Sequence, residues 1–177
     1  MRILLQTALL FLLSVLLCAC PYSSPYLLDE NPTIYVEDEL IGNWATLVQK
    51  PISGKLEIVK LILSKKSDTE YNIVFTGKLD ELKPFKVLLK DSVKGTAFMS
   101  TVAGNQFLNI SVKDANYIAE LKFKNGKLSL LPLAEHFTSK LVQNNFELRN
   151  CLEFHYKTRV HPIYDDDFCL TEMIKVN

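Results

Sequence analysis

The sequence predicts an all-β domain, an antiparallel barrel or strongly curved meander sheet with one short helix near residues 133 to 143. Two observations lead there. Short runs rich in Ile, Val, Leu, Phe and Tyr recur at near-regular intervals from Leu40 to Lys124, many of them set apart by turn-forming residues. Polar and apolar residues alternate cleanly late in the series, placing Ala119, Leu121 and Phe123 on one face. A meander of many short strands closes on itself readily, because an open edge leaves unpaired amides that invite aggregation.

The chain opens with an export signal. Arg2 precedes a mostly apolar run from Ile3 to Leu17, followed by the small-residue zone Cys18-Ala19-Cys20. The ending Leu17-Cys18-Ala19-Cys20 resembles a bacterial lipobox, which implies cleavage after residue 19 and a diacylglycerol on Cys20. A plain secretion signal cut after Ala19 is the second reading. An uncleaved anchor is the third, disfavoured by a run shorter than the roughly 20 apolar residues a spanning helix needs. On the lipobox reading the acyl chains hold an exported protein on its membrane, facing the periplasm or cell surface. Pro21 leaves the choice of inner or outer membrane open. Residues 20–33, with Pro21, Pro25 and Pro32, read as a tether, and residues 34–177 as a single domain.

Within that domain the expected strands are Leu40–Gln49, Leu56–Lys65, Tyr71–Gly77, Phe85–Lys90, Thr96–Val102, Phe107–Val112, Tyr117–Lys124 and Lys127–Leu131. Asn125-Gly126 is a strong hairpin signal, since a type I′ turn needs positive φ at both central residues. Gly104-Asn105 reads as a second such turn. Leu133, Phe137, Leu141 and Val142 fall near helical spacing and predict the short amphipathic helix. Cys151–Lys157 and Leu170–Val176 read as two closing strands.

Twenty basic and twenty acidic residues balance, and loss of Arg2 with the signal leaves a formal charge of −1. No clustered basic face invites nucleic acid. Cys151 and Cys169 remain after processing besides Cys20 and are candidates for a disulfide, which an exported chain can form. Two separate buried thiols are the other reading. Neither these cysteines with His155 and His161 nor the Asp165-Asp166-Asp167 run has the spacing of a metal site. The aspartates read as a solvated turn, and His136 as a half-exposed helix residue. No nucleophile elbow, zinc-protease helix motif or phosphate-binding glycine loop occurs, so no catalytic residue and no cofactor are expected. Asn109-Ile110-Ser111 fits a glycosylation triplet that a bacterial lipoprotein would ignore.

Gly42-Asn43-Trp44, at the start of the first expected strand, resembles the Gly-x-Trp signature of lipocalins and lipocalin-like lipoproteins. In that family glycine lets the chain enter the barrel and tryptophan plugs its closed end. The resemblance implies a basic side chain over the tryptophan, for which Arg149 and Arg159 are candidates. Thr69-Glu70-Tyr71 echoes a second family motif but stands earlier in the chain than the family places it. The implied function is binding of a small hydrophobic or amphipathic ligand. The alternative is a filled barrel that grips an envelope protein. Trp44, Tyr71, Phe75, Phe85, Phe98, Phe107, Tyr117 and Phe123 either line a cavity or fill the interior.

Overall fold

The computed structural model describes residues 24–49, 56–77, 92–113, 115–134, 142–159, 164 and 169–176. Eight strands pair in sequence order: β1 (Gly42–Gln49), β2 (Leu56–Lys65), β3 (Tyr71–Thr76), β4 (Ser92–Val102), β5 (Asn105–Val112), β6 (Ala115–Lys124), β7 (Lys127–Pro132) and β8 (Leu170–Val176). β8 returns antiparallel to β1 through Asn43↔Val176, Trp44↔Lys175 and Ala45↔Ile174, and the barrel closes. Closure removes every free edge. The signal segment with Cys20, the expected strand Phe85–Lys90, His136, His161 and the Asp165–Asp167 run lie outside the described residues.

The strand alternation sorts side chains as the sequence implies. Val59, Leu61, Leu63, Tyr71, Ile73, Ala97, Met99, Leu108, Ile110, Ala119, Leu121 and Leu128 turn inward and form one core with Trp44. A register shift between Leu128 and Leu130, with Glu172 at φ 51°, brings both Leu170 and Met173 into that core although they are three residues apart. Such a bulge resets the two-residue period of a strand.

The β6–β7 hairpin turns through Asn125 (φ 55°) and Gly126 (φ 71°), as its sequence predicts. The β4–β5 hairpin turns one residue earlier than expected. Val102 pairs with Asn105, so Ala103 (φ 51°) and Gly104 (φ 79°) form the turn. Asn105 instead starts β5 and donates its side-chain amide to the Ala103 carbonyl at 3.2 Å.

In the C-terminal third one expectation fails and another is tested only at its ends. Leu133, expected to begin a helix, continues β7: its amide donates to the Ile118 carbonyl at 2.9 Å, and it bridges to Tyr164. Residues 135–141 are outside the described set. The helix, α1, spans Asn145–Thr158 and contains the segment Cys151–Lys157 that reads as a strand. Its N-terminus is a reciprocal cap. The Asn144 side chain accepts from the Glu147 amide at 2.9 Å, while Glu147 accepts from the Gln143 amide at 2.7 Å. Leu148 and Leu152, four apart, are fully buried against the barrel, and this period overrides the two-residue alternation of Leu152, Phe154 and Tyr156. Arg159 in the left-handed region closes the helix, its amide donating to the His155 carbonyl at 2.7 Å.

This helix also removes the expected disulfide. Cys151 sits mid-helix on an element packed outside the barrel, whereas Cys169 leads into β8 between β1 and β7, and the two are not bridged.

Candidate functional site

The barrel has two unlike ends. At the end where β1 begins, the 3₁₀ turn Asp38–Leu40 feeds Gly42 at φ 148°, where a Cβ would overlap Lys175 Cε. Glycine is therefore the residue that lets the chain enter here. Trp44 is buried two positions on, its indole nitrogen donating to the Leu40 carbonyl at 2.9 Å. Phe123 meets it edge-on at 5.9 Å and 78°. The cation over its ring is Lys175, 5.4 Å from the centroid, with Nζ also donating to the Glu39 carbonyl at 3.2 Å. Arg149 and Arg159 are not at this end plug: the first lies in an outer network and the second caps α1.

Residues 34–41 complete the plug. Ile34, Val36 and Ile41 pack on the core, and the Glu37 amide donates to the Tyr71 hydroxyl at 2.8 Å. That hydroxyl lies 3.4 Å from Met99 Sδ. Burial pushes the Tyr71 phenol above its usual value, and the nearby Glu37 and Asp38 charges add to this, while the bond from the Glu37 amide opposes it.

At the far end several inward-facing apolar side chains are half-buried, although Ile110 and Leu170 are buried. Phe75 pairs across β3–β4 with Val93, and Ile110 pairs across β5–β6 with Tyr117, with Val112 beside them. Phe75, Val112 and Tyr117 pack on the same core as the plugged end. The contiguous inner surface thus runs from a sealed tryptophan end to a partly accessible apolar end. Of the aromatic set, Phe107 belongs instead to the outer wall, and Phe98 alternates with inward Ala97 and Met99. Phe85 lies outside the described residues.

The outer wall of β4–β6 carries a second core. Val102, Phe107, Ile118 and Leu133 pack with Leu148 and Leu152 of α1 and with Leu28. Residues 24–33, expected as tether, are therefore part of the domain from Ser24 onward. Buried polar side chains hold them there. Asn109, 0% exposed, accepts from the Leu28 amide at 2.7 Å and donates to Ser100 Oγ at 2.7 Å. Ser100 donates to Asp29 at 2.5 Å, and Arg149 joins Asp29 and the Thr101 carbonyl at 2.7 Å each. The sequon asparagine is thus sealed inside a clasp linking the N-terminal segment, the sheet and the helix.

Beside the clasp an outer cleft of about 490 Å³ is lined by Glu120, Lys122, His155, Tyr156, Lys157 and Arg159 among others. Glu120 is buried and satisfied: Tyr164 donates to it and Lys122 lies 3.3 Å away. Tyr156 lies 3.2 Å from the Tyr164 hydroxyl, and burial, then the Glu120 charge, push its phenol well above the usual value. The Lys122 ammonium offsets the Glu120 charge, and the two phenols complete a hydrogen-bonded chain to it.

Among the described residues no group of His, Cys, Asp and Glu is placed to hold a metal ion, and no helix is long and apolar enough to cross a membrane. No family model, curated protein or solved structure matches the chain.

Proposed function

We propose that this chain is a membrane-anchored bacterial lipoprotein, acylated at Cys20, whose lipocalin-like barrel binds a small hydrophobic or amphipathic molecule without catalysing a reaction. The observation that carries the reading is the asymmetry of the closed barrel. One end is plugged by Trp44, Leu40 and Lys175, and the inner face at the other ends in half-buried Phe75, Val93, Val112 and Tyr117. Apolar ligand sites are concave and lined in this way, and barrel mouths are a common place for them. The Gly42-Asn43-Trp44 entry into β1 and the export signal ending at Cys20 are consistent with the same family resemblance.

A second reading, a packed barrel that grips an envelope protein, is favoured by Phe146 and Phe154 of α1, both largely exposed. Native mass spectrometry of the domain purified from its own host, with Cys20→Ser so that no covalent lipid adds mass, separates the two. A small molecule bound in discrete stoichiometry supports the ligand reading. A bare mass under gentle desolvation overturns it and leaves α1 as the surface to pursue.

A further inference from the structure

We infer that the barrel stands with its far end on the bilayer and that Leu47, Leu56 and Ile58 rest against the lipid surface. This rests on the reading of Cys20 as the lipid-bearing residue. The first support is where the tether joins the fold. Ser24 pairs with Asn116, its amide donating to the Asn116 carbonyl at 2.7 Å, and Asn116 is the second residue of β6. β6 starts at the far end, opposite Trp44. Four peptide units from Cys20 to Ser24 reach at most roughly 14 Å. The ten residues of β6 span roughly 33 Å along the strand. The lipid therefore holds the far end, not the tryptophan end, near the membrane.

The second support lies across the barrel. Leu47, Leu56 and Ile58 are 61%, 64% and 57% exposed. Leu47 and Ile58 are direct cross-strand partners on β1 and β2, and Leu56 shares the outer face two residues before Ile58. All three lie within two or three positions of the far end of their strands. β1 and β2 stand on the opposite side of the ring from β5 and β6. A barrel lying on its side brings either the tether or this patch to the bilayer; only the upright pose brings both. In that pose a ligand passes between membrane and barrel interior without crossing water.

The test places the full-length lipoprotein in phosphatidylethanolamine–phosphatidylglycerol vesicles that contain bromine-labelled acyl chains, which quench tryptophan on contact. Leu56→Trp reports the far end, and Lys124→Trp reports the β6–β7 turn at the tryptophan end. Mass analysis of the N-terminal peptide establishes separately whether Cys20 is acylated. The expected result is acylated protein in which brominated lipid removes roughly half of the added Leu56→Trp emission and leaves Lys124→Trp unchanged. Acylated protein with Lys124→Trp quenched, or with neither position quenched, overturns the pose while the anchor stands. An unacylated Cys20 overturns the anchor and the pose together. Both substitutions are at exposed positions, and circular dichroism of each variant checks that the barrel is intact.

Discussion

Replacing Asn109 by alanine tests the clasp that joins the N-terminal segment to the barrel. The side chain is 0% exposed and makes two bonds of 2.7 Å, from the Leu28 amide and to Ser100 Oγ, with a weaker one at 3.5 Å to the Phe98 carbonyl. Ser100 keeps Asp29 as its acceptor after the change, so little is lost there. The Leu28 amide has no such substitute, and an orphaned buried donor costs about 1–3 kcal/mol. The loss expected in urea unfolding is therefore about 2–3 kcal/mol, unless the segment lifts to hydrate that amide. Lifting is itself observable. Hydrogen exchange at Leu28 would rise towards the unfolded limit while Leu61 and Leu108 in the barrel core stay protected. A loss below about 0.5 kcal/mol with Leu28 still protected would refute the clasp, since it would mean the bond carries no weight.

Other outcomes follow from the same geometry. Tyr71 and Tyr156 both titrate above the usual value of 10, so the folded state holds these protons more tightly than the unfolded chain. Their contribution to stability is complete below pH 10 and is lost as pH rises from there through the folded value; urea midpoints should fall above about pH 10, and less steeply in Tyr156→Phe. Gly95→Ala puts a Cβ onto the Ser111 carbonyl oxygen of the neighbouring strand β5, and thermal unfolding should register a loss of about 1–3 kcal/mol. Lys175→Met removes the ammonium over Trp44 and should cost about 0.5–1 kcal/mol with altered Trp44 emission, whereas Lys175→Arg should restore both.

What the sequence made legible was the inner half of each strand. Ala119, Leu121 and Phe123 alternate because one face meets the core, and Asn125-Gly126 turns because its backbone must. The outer wall was not legible for the opposite reason. Ser100, Asn109 and Glu120 occupy the positions where alternation ordinarily puts solvent-facing polar residues, yet all three are buried. Among the described residues the segment from Ser24, the helix α1 and Tyr164 cover them, and the partners Asp29, Asn109 and Arg149 are separated by long stretches of chain. The helix did carry a signal in Asn144 and Glu147, a capping pair three apart, which the alternation of Leu152, Phe154 and Tyr156 obscured. The cation over Trp44 was sought among arginines, but the register that sets Trp44 against Lys175 depends on β8 closing onto β1, a pairing between the two ends of the domain.

The most direct measurement is a methyl NMR titration of the Cys20→Ser domain with a long-chain fatty acid as the probe. The account predicts saturable shifts at Val93, Ile110 and Val112 on the inner face of the far end, with Leu148 and Leu152 under α1 unmoved. Shifts confined to the outer-wall methyls, or an inner face unmoved at saturating probe, would contradict an apolar site inside the barrel.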